Sequence, residues 1–145
     1  MPASTTWVSR SRGRTMSDQA VRRVFGAADP RVLREIRTFV EMQMEPDLPP
    51  SSVEDLKLAV TEAASNAVRH SGADEIRISV EREGLCVKIV VEDDGVYKTT
   101  LEAVDGDLEG HRGFAIIAAM VDEFSVRRGT GAGSGTVVRM RKCAS

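Results

Sequence analysis

The stretch Ser51–His70, SSVEDLKLAVTEAASNAVRH, decides how this chain is read. Pro46, Pro49 and Pro50 break the chain before it, and Ser71-Gly72 stops it. Ser51 with Glu54 makes a capping-box pattern, so the segment is a helix. At about 100° per residue, Val53, Leu56, Val60, Ala63 and Ala67 fall on one face. Glu62 and Asn66 are four apart and therefore neighbours, at roughly 130° from the centre of the apolar stripe. Spacing alone makes them a solvated polar face. Chemically, the pair suits phosphate work. An amide oxygen can ligate a hard cation such as Mg²⁺, and a carboxylate can take a proton from a nucleophile or hold a metal-bound water.

Outward from that helix the pattern is orderly. Residues 1–18 are rich in Ser, Thr and Arg without periodicity and read as a disordered arm, leaving residues 19–142 as one domain. A short strand is expected at 20–25. Asp29-Pro30 opens a helix, with Asp29 as N-cap and Pro30 at the first helical position, and Val32, Leu33, Ile36, Phe39 and Val40 as its stripe. After the central helix, residues 76–80 and 85–91 alternate as strands, with Glu83-Gly84 as the hairpin turn. An acidic loop (96–112), a helix (113–121), a strand (123–128), a glycine-rich loop and a strand (136–141) follow. Helices first and strands later predict an α+β fold. The expected form is a two-layer sandwich, a mixed but mainly antiparallel sheet covered by helices on one face.

The chain carries 20 basic and 22 acidic residues, net −2. That argues against direct nucleic-acid binding, which favours a basic excess. The single Trp7 lies in the arm, so no aromatic stacking surface is expected. No run approaches the roughly 18 apolar residues of a membrane span, and the N-terminus lacks an apolar signal stretch. A cytoplasmic protein without membrane contact is expected. Residues 92–109 carry seven acids and one lysine, and an anion beside them needs a cation. Cys86 and Cys143 have no CxxC pattern and no histidine pair nearby, so neither a disulfide framework nor a zinc site is expected. Cys86 reads as a small core residue, Cys143 as part of the tail.

Two further segments offer chemistry. Asp93 shares parity with Leu85, Val87, Ile89 and Val91, so it points to the core face. A carboxylate there needs a partner, such as the exocyclic amine of adenine, and Gly95 lets a ring approach closely. Alone, Asp93-Asp94-Gly95 reads equally as a strand end and turn. Gly110-His111-Arg112-Gly113 precedes a helix whose N-terminal amides suit an anion. Gly133-Ser134-Gly135-Thr136 precedes a strand and lacks the lysine of a P-loop. His70, at a helix C-terminus, reads as a dipole contact.

In order, these pieces resemble a known family. Glu54–His70, then Val91-Glu92-Asp93-Asp94-Gly95, then Glu109–Asp122 and Gly135-Thr136, resemble the anti-sigma-factor serine kinases. Those belong to the histidine-kinase-like ATPase superfamily (GHKL, Bergerat fold). The resemblance covers about residues 20–141. It implies that Asn66 binds Mg²⁺ and the ATP phosphates, and that Glu62 is the general base for a serine on a partner. It implies that Asp93 and Gly95 hold adenine with Thr136 nearby, and that residues 96–112, with Gly110, Arg112 and Gly113, close over the phosphates.

The implied protein is a serine kinase and anti-sigma factor working by partner switching. It sequesters a sigma factor, phosphorylates an anti-anti-sigma antagonist of the STAS type, and forms a homodimer. Two departures stand out. Tyr97 replaces a frequent second glycine, and His111 replaces the first of the usual lid pair. They motivate the alternative, a partner-sequestering module of the same fold without catalysis.

Overall fold

Alternating strands paired through a tight turn build the centre of the molecule. The structure is a computed structural model describing residues 5–6, 20–44, 48–95, 112–128 and 135–144. Strands β3 (Glu75–Glu83) and β4 (Cys86–Asp93) pair in antiparallel register, Ile78 opposite Val91 and Val80 opposite Ile89. Their alternation sends Ile76, Ile78, Val80, Val87, Ile89 and Val91 to one buried face. On that face lie helices α1 (Val32–Met44), α2 (Pro50–Asn66) and α3 (Arg112–Met120).

Strands β1 (Thr5–Thr6), β2 (Ala20–Gly26), β5 (Glu123–Arg128) and β6 (Thr136–Cys143) complete the sheet. The order is β1-β2-β3-β4-β6-β5, and every described pairing is antiparallel. The expected α+β two-layer sandwich is what forms. Thr5–Thr6 pairs with Arg22–Arg23, so this part of the expected arm is strand. The rest of the arm up to residue 19, Trp7 included, the acidic loop with Tyr97, Gly110 and His111, and the glycine-rich loop up to Ser134 lie outside the described residues.

α2 is buried on more than its stripe: Ala59 and Ala64 are as inaccessible as Leu56 and Val60. Small side chains let α1, α3 and the sheet all close on it. Its start differs from the capping-box expectation. Pro49 is the N-cap, no side chain caps the helix, and Val53 N–H donates to the Pro49 carbonyl. Pro50 takes the first position with its fixed φ, which draws Ser51 inside the helix. α1 likewise begins two residues after Pro30. Asp29 Oδ1 accepts from Arg31 N–H and the Asp29 carbonyl from Val32 N–H, an entry turn before the helix proper.

The cysteine expectation is corrected. Cys86 and Cys143 form a disulfide, with Cα atoms 3.9 Å apart. They are directly opposed at one end of the β4–β6 ladder. Cys86 lies on the parity opposite to Val87 and Ile89, so it faces away from the helices instead of joining the core.

Candidate functional site

The end of α2 carries the first half of the site. Asn66 is wholly buried, and neither its Oδ1 nor its Nδ2 has a hydrogen-bond partner among the described residues. A solvated helix face is therefore wrong for Asn66. The start of α3 covers it. A Cβ built on Gly113 would stand 3.0 Å from Asn66 Nδ2, and 2.6 Å from Oε2 and 2.9 Å from Cγ of Glu62. Glycine is what lets α3 come this close. Glu62, one turn before Asn66, keeps its side chain 22% exposed. Its carboxylate is thus reachable from outside, while the amide lies beneath.

Beyond Asn66 the helix widens into a π-turn at Ala67–Ser71, closed by Gly72 with a left-handed φ of 67°. Single π-turns inside helices are frequent at functional sites. Arg69 lies on this turn, and its Nη2 is 3.7 Å from Glu62 Oε2. Seven residues bring an α-helix almost back to the same face, so this partner was visible in the spacing of the central stretch.

The second half lies where β4 and β6 meet. Asp93 is buried on the helix side, as its parity requires, between Ile76 on β3 and Thr136 on β6. Gly95 N–H donates to Asp93 Oδ1 at 2.8 Å, and Gly135 N–H donates to the Asp93 carbonyl at 2.6 Å. A Cβ on Gly135 would collide with the Gly95 carbonyl and stand 2.7 Å from Asp93 Oδ1. Thr136 is buried beside them. Gly110 is outside the described residues, and Arg112 is the first residue of α3.

Asp94 joins the halves, a role that the sequence reading missed. Its Oδ1 accepts from Asp74 N–H (2.8 Å) and Glu75 N–H (3.1 Å). The segment leaving the π-turn is thereby pinned to the end of β4. Burial works against its charge, but the amides of Glu75 and Asp74 outweigh that and hold its carboxyl below the ordinary range.

The arrangement fits a phosphate ligand with a divalent cation. A buried amide with both polar atoms unpaired is costly unless something arrives to use it, and it lies at the N-terminal end of α3, whose amides favour an anion. Among the described residues, no cluster of three or more His, Cys, Asp or Glu is placed to hold a metal. Mg²⁺ is commonly held by one or two protein oxygens, substrate phosphates and water.

Residues 26–142 match the histidine kinase-like ATPase domain. The chain belongs to that family. Among solved structures, this ATPase domain is similar to the RsbU and RsbW domains of a Mycobacterium tuberculosis protein. That likeness has a TM-score of 0.60 and 21% identity, over 86% of this chain and 31% of that one. It is also similar to the histidine kinase domain of a blue-light-activated kinase from Erythrobacter litoralis (TM-score 0.52, 18% identity, 77% of this chain and 59% of that one). A third likeness is to the Acinetobacter baumannii histidine kinase AdeS (TM-score 0.50, 13% identity, 86% and 68%). The ATPase domain thus spans about a third of the first of these chains. At such identities the likeness is one of fold. No curated protein gives a significant match. Among the described residues, no helix is long and apolar enough to cross a membrane.

Proposed function

We propose that this histidine kinase-like ATPase domain is a protein serine kinase that also sequesters a partner, a sigma factor, as an anti-sigma factor does. The observation that carries the reading is the buried, unpartnered amide of Asn66 beneath the reachable carboxylate of Glu62. ATP with Mg²⁺ would supply the transferred phosphoryl group. Asn66 Oδ1 would hold the cation. Asp93, braced by Gly95, would accept from the adenine amine. Glu62 would take the proton of a serine hydroxyl on an antagonist of the STAS type. Arg112 and Gly113, at the start of α3, would face the phosphates, with Gly110 before them. Partner switching then follows from phosphorylation, which releases the antagonist and frees the kinase for its sigma factor, with a homodimer as the working unit in the cytoplasm.

The test is calorimetry with ATP and Mg²⁺ on the wild type and Asn66→Ala, followed by phosphotransfer to a cognate antagonist with Glu62→Gln. Binding that needs Asn66, and transfer that needs Glu62, is the expected result. Binding without any transfer would favour the second reading, a sequestering module of the same fold, for which the His111 and Tyr97 departures argue. No binding at millimolar ATP sinks the nucleotide reading.

A further inference from the structure

We propose that Cys86 and Cys143 are a reversible redox site that fastens β6 to β4, with a low-molecular-weight thiol–disulfide couple as its reactant. The two positions are cross-strand partners, and their Cα atoms are 3.9 Å apart. The β4–β6 register therefore holds the two thiols of the reduced protein side by side. Both residues are partly exposed, on the sheet face away from the helices, where a small thiol can reach them. They are the chain's two cysteines, so no third thiol competes. In a reducing compartment, a disulfide of this kind is usually redox-sensing or catalytic and not structural.

The bridged cysteines are 57 positions apart in sequence. The loop they close holds Asp93, Gly95, Gly113, Gly135 and Thr136, the whole second half of the site and the cover of the first. The clasp also reaches the turn that follows α3. Cys143 N–H donates to Asp122 Oδ2 at 2.8 Å, and Asp122 N–H donates to the Arg141 carbonyl at 2.8 Å. Asp122 lies in the turn between α3 and β5. Fastening β6 therefore fastens the C-terminal exit of the helix whose first turn covers Asn66.

The chemistry balances as two exchanges. One protein thiolate attacks a sulfur of the small disulfide and releases one small thiolate. The second protein thiolate attacks the mixed disulfide and releases the other. Two electrons pass from the protein dithiol to the small disulfide, and the two protons go to the released thiols or to solvent.

The experiment equilibrates the whole chain in glutathione buffers of graded ratio, then counts alkylated cysteines by mass and follows urea unfolding. Labels should rise from zero to two while the circular dichroism stays native. Reduction should lower the folding equilibrium constant by up to about a thousandfold, the chain-entropy limit for a loop of this length. Hydrogen exchange should quicken at 141–143 and at Asp122. Cys143→Ser should match the reduced protein in both buffers. A pair that resists excess reduced glutathione until urea unfolds the chain is a sealed cross-link and overturns the proposal, as does a pair left as thiols in oxidised buffer. Unchanged exchange at 141–143 overturns the fastening. None of these readouts involves ATP, so failure of the kinase reading would leave them standing.

Discussion

The carboxamide of Asn66 lies against the α carbon of Gly113, with only 3.0 Å between Nδ2 and the place a methyl group would take. Glu62 Oε2 is closer still, at 2.6 Å from that point. Gly113→Ala therefore pushes the Glu62 carboxylate aside, and a flexible carboxylate yields more easily than backbone. Thermal stability should change little. ATP affinity by calorimetry should fall about tenfold, or about 1.4 kcal/mol. A loss of fold instead would show that α3 cannot give way at all.

Asn66→Ala separates function from stability. Leaving a buried polar group unsatisfied costs about 1–3 kcal/mol, and this amide has two unpaired atoms. Removing it should leave stability in urea unchanged or raise it by about 1 kcal/mol, once the small void is counted. ATP binding should disappear. Clear destabilisation without ligand would mean that the amide already has a partner.

Gly135→Ala meets backbone, not a movable side chain. Its methyl would collide with the Gly95 carbonyl and crowd Asp93 Oδ1. Overpacking of this kind costs about 1–3 kcal/mol. Gly26→Ala, where nothing lies within 4 Å, is the control and should stay within about 0.5 kcal/mol. Equal melting temperatures for the two variants would contradict the packing described.

Asp94→Asn tests the link between the halves. Against the effect of burial, the Glu75 and Asp74 amides hold the folded carboxyl below the ordinary aspartate value. A depressed folded value contributes stability above the unfolded pKa, and the contribution is lost as pH falls through the folded one. The wild type should exceed Asp94→Asn by on the order of 1 kcal/mol at neutral pH, since hydrogen bonds to a charged acceptor are the stronger. The gap should shrink only below about pH 4. Urea midpoints at a series of pH values measure it. A gap that closes near neutrality would point to another group.

Much of the fold was legible because its elements are periodic. The strand parity of Val87, Ile89 and Val91 placed Asp93 on the helix side, and the 3.6-residue period set the buried stripe of α2. What was not legible depends on residues far along the chain. Asn66 looks solvated until α3 arrives at Gly113. The Cys86–Cys143 pair needs the β4–β6 register, which no local pattern encodes. Asp94 reads as a turn residue because its partners, Asp74 and Glu75, precede it by about twenty positions. The start of α2 differed for a local reason: Pro49 and Pro50 fix the geometry, and no side chain caps the helix.

β6 enters the sheet between β4 and β5, not at an edge. While the chain is being synthesised, β4 and β5 therefore have no direct neighbour in each other, and Asp93 has no Thr136 beside it. A nascent chain that has emerged only through β5 holds Glu62, Asn66 and Asp93 but not Gly135 and Thr136, which complete the second half of the site. The sheet closes when residues 136–143 slot in, so the capacity to bind ligand should arrive in a single late step of biosynthesis, not grow with the emerging chain.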